Sequence, residues 1–96
     1  MSCKFHLGQL LATPGALSAL QDAGQSPAEF LSRHSLGDWG ELCDTDRQLN
    51  QQALADGSRL LSAYATVKGV KLWIITEAAD DDGQRLATTI LLPDEY

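Results

Sequence analysis

From Arg59 to Leu92 apolar and polar residues alternate with a period of two, whereas ahead of Gly57 the apolar residues recur three or four positions apart. The alternation predicts strands over residues 59–67, 70–77 and 85–92, rich in β-branched and aromatic side chains. Lys68-Gly69 separates the first two, and a tip carrying Asp80, Asp81 and Asp82 separates the second two, so the segments read as an antiparallel meander. A two-residue turn at Lys68-Gly69 pairs Tyr64 with Trp73, and the aspartate tip pairs Glu77 with Arg85. In that register Leu61, Ala63, Ala65, Val67, Val70, Leu72, Ile74, Leu86, Ile90 and Leu92 share the face that helices would cover. Tyr64, Thr66, Lys71, Trp73, Ile75, Glu77, Arg85 and Thr89 share the other, the candidate working face. A slip of one residue would exchange the two faces of a strand.

Upstream, the run over residues 5–12 reads either as a first strand or as the lead-in to a helix. Thr13 followed by Pro14 is an N-cap with proline in the first helical position, and Ala16, Leu17 and Leu20 recur at helical spacing until Gly24. A helix over residues 14–23 follows. Ser26-Pro27-Ala28-Glu29 has the form of a capping box, in which the serine oxygen accepts from the Glu29 amide and the carboxylate reaches back. It predicts a second helix over residues 27–35, with Phe30, Leu31 and His34 on one side. Trp39, held between Gly37 and Gly40, is a large ring between short helices and reads as a core plug rather than a binding aromatic. Asp44-Thr45-Asp46 supplies N-cap candidates and first-turn acids for a third helix, with Leu49, Ala53 and Leu54 as its narrow apolar face and Gly57 as its stop. The expectation is a single α+β domain over residues 1–96. Two or three short N-terminal helices pack on a C-terminal antiparallel meander of three to four strands.

Composition narrows the class. Hydrophobic residues at 44% and charged residues at 21% are close to globular averages. No segment approaches the roughly 18 apolar residues of a membrane span, and residues 1–17 make a poor export signal. Cytoplasmic residence is therefore expected. Cys3 and Cys43 lack a CxxC or histidine partner in sequence and read as reduced, buried small hydrophobes.

The net charge of −6 is concentrated in one part of the chain. Residues 1–37 balance Asp22 and Glu29 against Lys4 and Arg33; residues 38–96 carry the other eleven acids and five bases. Such a field repels nucleic acid and attracts basic surfaces, so direct DNA or RNA binding through a basic face is disfavoured.

The only histidines are His6 and His34, neither beside a nucleophile-elbow pattern, and no phosphate-binding glycine loop occurs. The three adjacent aspartates have the wrong spacing for an EF-hand, and a solvated tip explains them better than a metal site. No cofactor or metal is expected. A ribonuclease arrangement is the enzymatic alternative. Glu77 would be its base, Arg85 and Lys71 its phosphate contacts, and Tyr64 with Trp73 its stacking platform. The same residues fit cross-strand packing pairs.

The segments GQLLATPGALSAL, QSPAEFLSRH, GDWGEL and WIITEA...TTILLP..EY together resemble a family of small proteins encoded on bacterial plasmids, phages and other mobile elements. The resemblance covers most of the chain. Relative to that family AADDDGQRLA enlarges the link between the TEA and TTILLP segments. The resemblance implies a mobile-element setting and no catalytic residue.

Together with the charge it suggests an acidic inhibitor of a host nucleic-acid-targeting complex, of the anti-CRISPR or anti-restriction type. Asp38, Glu41, Asp44 and Asp46 form one group of candidate partner-binding carboxylates; Glu77, Asp80, Asp81 and Asp82 form the other. The expected partner is a basic nucleic-acid-binding protein or complex, with neither nucleic acid nor membrane bound directly. Exposed sheet edges would allow a dimer without compelling one.

Overall fold

Residues 3–96 are described in a computed structural model. The export-signal reading begins at Met1 and Ser2, which lie outside the described residues.

The element order is β1 (Gln9–Ala12), α1 (Pro14–Ala23), α2 (Pro27–Ser35), α3 (Asp44–Asp56), β2 (Leu60–Ala65), β3 (Lys71–Thr76), β4 (Ala87–Leu91) and a 3-10 turn (Pro93–Glu95). The class is α+β, but the arrangement differs from a helical N-terminus followed by a meander. A strand precedes the helices and returns to the far side of β4, where it pairs in parallel, giving a mixed sheet of order β1-β4-β3-β2. The run over residues 5–12 thus resolves, in its second half, as strand.

The helices start where their caps dictate. Thr13 Oγ1 accepts from the Ala16 amide at 3.2 Å, and Gly24 ends α1 in the left-handed conformation. Ser26 caps α2, but it accepts from Ala28 rather than Glu29, and the Glu29 carboxylate takes a hydrogen bond from Gln25 instead of reaching back. In α3 the N-cap is Cys43 without a side-chain hydrogen bond, and Asp44 and Asp46 occupy the first turn. Its inward residues are Asn50 and Ala53, while Leu49 is exposed. Both cysteines are exposed free thiols rather than buried hydrophobes.

The first hairpin decides the faces of β2. Thr66 and Val70 close it, with the Thr66 amide donating to the Val70 carbonyl at 2.9 Å and the threonine hydroxyl accepting from the Lys68 and Val70 amides. Val67, Lys68 and Gly69 form a three-residue loop, with Gly69 at φ 81°. The pairing is therefore Tyr64 with Leu72 and Ala63 with Trp73, one residue from the two-residue-turn expectation. Leu60, Ser62, Tyr64 and Thr66 turn into the core, and Leu61, Ala63 and Ala65 turn out. Val67 and Val70 are exposed in the turn instead of lining the core.

The second hairpin is displaced by two residues, Ala79 bridging Arg85 and the Glu77 amide bonding the Ala87 carbonyl. An even displacement preserves the faces, so Leu72, Ile74 and Ile90 are buried as expected, although Leu86 is exposed.

One core cluster joins Ala16, Leu20, Phe30 and Leu31 to Tyr64, Leu72, Ile74 and Ile90. The second centres on Trp39, Ala53 and Leu60, and makes Trp39 the plug that its position suggested. The opposite sheet face is partly closed by the chain after β4, where Tyr96 meets Trp73 edge-on at 5.9 Å.

Candidate interaction surface

The aspartate tip is a tethered turn. The Asp80 side chain accepts from the Asp82 and Gln84 amides at 3.0 and 2.9 Å, and the Asp80 amide bonds the Gln84 carbonyl. Asp80 is thereby used to shape the tip. Asp81 and Asp82 are exposed and, among the described residues, accept no hydrogen bond through their carboxylates. The Ala79 amide donates to the Gly57 carbonyl at 2.7 Å, fixing the base of the tip to the end of α3.

Arg85 completes that attachment. Its guanidinium donates to the Ser58, Glu77 and Ala53 carbonyls at 2.7, 3.0 and 3.0 Å, the last of these at the C-terminus of α3. It is 9% exposed. Burial lowers its pKa, and Asp56 partly offsets that effect. Arg85 thus touches the backbone of Glu77 and not its carboxylate, as a helix-terminal donor rather than a phosphate contact. The tip, the end of α3 and the Lys4–His6 segment enclose a cleft of about 480 Å³. Asp56, Asp80 and Asp81 line it together with Lys4, His6 and Arg85.

The other acidic group lies at the opposite end of α3. Asp38 is paired with Arg33 at 2.7 Å and accepts from the Gly40 amide. The Arg33 hydrogen bond is the main reason its pKa is lowered. Glu41 and Asp44 are exposed and Asp46 half-buried. Thirteen helical residues span about 20 Å, so the eight candidate carboxylates form two groups and not one patch. Glu77, exposed just past β3, belongs to the tip end.

The ribonuclease arrangement is not assembled. Tyr64 is 1% exposed, packs on Phe30 at 5.5 Å and donates its hydroxyl to the Asp38 carbonyl. Burial pushes its pKa up to about 12. Trp73 stays on the outer face against Tyr96, Lys71 is exposed at the far end of β3, and Arg85 is in the interior. The two members of the stacking platform, and likewise the two cations, are thus separated, Tyr64 and Arg85 inside and Trp73 and Lys71 on the outer face.

A buried polar chain escaped the sequence reading. His34 is fully buried, with Nδ1 2.5 Å from Ser62 Oγ and Nε2 2.8 Å from Thr76 Oγ1. Thr76 Oγ1 lies 2.8 Å from Thr88 Oγ1, which donates to the Leu7 carbonyl. A carbonyl only accepts, so the direction propagates back: Thr88 accepts from Thr76, Thr76 from His34 Nε2–H, and Nδ1 from Ser62. His34 is the neutral Nε2–H tautomer. Burial, with Arg85 nearby, lowers its pKa to about 4. Ser62 and His34 have the chemistry of a nucleophile and base, but both are sealed from solvent and from any substrate. The α2 spacing of His34 marked it as inward-facing; its partners depended on the β2 register.

Among the described residues no three His, Cys, Asp or Glu side chains converge as a metal site, and no helix is long and apolar enough to cross a membrane. No protein-family model, curated protein or solved structure matches this chain.

Proposed function

We propose that the protein is a small acidic interaction module that blocks a basic nucleic-acid-binding surface, acting in the cytoplasm on a host defence complex of the CRISPR or restriction type. The mobile-element resemblance motivates the class of target. The observation that carries the mode of action is the pair Asp81 and Asp82, exposed and with no hydrogen-bond partner for their carboxylates among the described residues, on a tip tied to α3 by Arg85 and Ala79. Carboxylates on a rigid support can stand where phosphates would stand opposite lysines and arginines, and such contacts weaken as salt rises. Asp80 is part of the scaffold in this reading, and the Asp44 and Asp46 end is a second contact about 20 Å away.

The test is inhibition of target-DNA binding by a purified CRISPR or restriction complex, with Asp81→Asn/Asp82→Asn compared with wild type at two salt concentrations. The expected outcome is at least tenfold weaker inhibition and a shallower salt dependence. Equal inhibition by both proteins removes the tip from the mechanism. Retaining Asp80 keeps the turn intact, so a loss reports charge rather than collapse of the tip.

A further inference from the structure

The two edges of the sheet are finished differently. At the β2 edge the Asn50 side chain acts as a strand would, its amide nitrogen donating to the Leu61 carbonyl at 2.6 Å and its oxygen accepting from the Leu61 amide at 3.1 Å. Two residues on, Ala63 exchanges backbone hydrogen bonds with Trp39 and Glu41. That edge is closed.

At the other edge the Gln9 and Thr13 amides bond the Leu86 and Ile90 carbonyls of the β4 segment. Alternation along β1 then turns the N–H and C=O of Leu10 and Ala12 outward. Among the described residues nothing pairs with them. Residues 8–12 contain no charge and no proline, the usual devices that blunt an edge. Leu10 and Leu11 are 54% and 45% exposed, and Leu86, on the neighbouring strand and the same face as Leu10, is 64% exposed.

Acidic residues lie near both ends of this apolar edge. Gly8 shares a recess of about 350 Å³ with His6, Gly83, Gln84 and Arg85, which sets the start of β1 beside Gly83, the residue that follows Asp82 at the tip. Thr13, just past its end, donates to Glu95, next to the exposed Asp94. Four strand residues cover about 13 Å.

We propose that the β1 edge takes up an extended segment of the target protein, apolar where it passes Leu10 and Leu11 and basic where it reaches the aspartate tip. This rests on the acidic-module reading for the charge of the partner and adds how that partner is held, by strand addition. The backbone groups of Leu10 and Ala12 offer up to four hydrogen bonds. Exposed leucines supply apolar contact on both faces, and Asp81 and Asp82 select for lysine or arginine. A second copy of this chain fits the edge less well, because two molecules of charge −6 would meet with acidic groups at both ends of the contact.

The experiment is an isotope-edited titration of the full chain with the capped peptide KRVTVTVRK, following chemical shifts and amide exchange. Saturating peptide is expected to slow exchange of the Leu10 and Ala12 amides at least tenfold and to leave Leu61 and Ala63 unchanged. Leu10→Pro removes an outward N–H from an edge strand and is expected to weaken peptide binding at least tenfold. Leu11→Lys, an exposed substitution that keeps the backbone donors, is expected to do so by charge repulsion without loss of folding. Unchanged exchange at Leu10 with millimolar peptide overturns the proposal. So does a stable dimer in sedimentation that Leu10→Pro abolishes, since the occupant would then be a second copy. Inhibition that is lost with Asp81→Asn/Asp82→Asn but kept with both edge variants overturns strand addition and leaves the acidic reading standing. Equal binding of a peptide with every Lys and Arg replaced by Gln overturns the acidic reading and leaves the edge.

Discussion

His34 shows how much one side chain depends on its surroundings. Its ring is neutral because a charge there would be held among Phe5, Trp39 and the guanidinium of Arg85, with rings 5.1 and 5.8 Å away. Its pKa falls from 6.5 to about 4, so between those values the unfolded chain binds a proton that the folded chain refuses. Stability is therefore complete above pH 6.5 and declines as pH falls toward 4, by a total of about 3 kcal/mol. Denaturant unfolding across that window should show the slope in wild type and lose most of it in His34→Gln, which retains a donor and an acceptor. A second prediction concerns the hydroxyl on which the chain of hydrogen bonds turns. Thr76→Val keeps the shape but strands the Nε2–H and leaves Thr88 without its donor, at a cost of about 1–3 kcal/mol. Thr88→Val strands the Thr76 O–H and the Leu7 carbonyl instead and leaves both ring nitrogens of His34 paired, so it should lower stability without changing the pH dependence that His34 sets. None of these partners was legible in the sequence, because Ser62 and Thr76 meet His34, and Thr88 meets Thr76, from three separate strands. Tyr64 is in the core for a reason just as non-local: its size and aromatic character suit either face, and only the pairing chooses.

At the scale of elements, legibility followed locality. Caps and stops lie next to the helices they bound, so Thr13-Pro14, Ser26-Pro27 and Gly57 fixed α1, α2 and the end of α3 closely. Hairpin register depends on one loop residue. Val67 belongs to the turn and not to the strand, and that one residue reverses β2 relative to the face that Leu61, Ala63, Ala65 and Val67 would share. The fold chooses the other face because Tyr64, the bulkiest residue of β2, joins the core and Ser62 finds a partner in His34. The parallel pairing of β1 with β4 joins residues some 78 positions apart, such as Gln9 and Ala87, and leaves no local trace. Nor does the closure of β2 by α3, which rests on one amide. Asn50→Ala should cost about 1–3 kcal/mol, because both the N–H and the C=O of Leu61 lose their partner. Amide exchange would localise the effect, with Leu61 accelerated far more than Leu72 in the neighbouring strand. Uniform acceleration across the sheet would mean that Asn50 supports the whole fold rather than one edge.

Across the whole molecule, the residues after β4 join parts of the chain that are distant in sequence. Glu95 accepts from the Leu92 amide, the Gly15 amide and the Thr13 hydroxyl, so one carboxylate ties the end of the sheet to the start of α1. Those hydrogen bonds, the Thr13 one foremost, lower its pKa. Tyr96 then lies against Trp73 on the outer face, with the Arg59 guanidinium 5.5 Å from its ring centre and bonded to its hydroxyl. Ile75 and Leu91, on that same face, are only 7% and 6% exposed, which an open working face would not achieve. The contact is one aromatic pair and one cation over a ring at the surface, worth about 1–2 kcal/mol together. Tyr96→Ala should therefore leave the protein folded, lower its stability by about that amount and expose Trp73. In a Trp39→Phe background, Trp73 emission should shift to longer wavelength and become more accessible to acrylamide. Arg59→Gln should do the same in part, since it removes the cation but leaves the aromatic pair. If Trp73 instead stays protected in Tyr96→Ala, the sheet's own side chains cover this face, and the chain end serves only to brace α1 through Glu95.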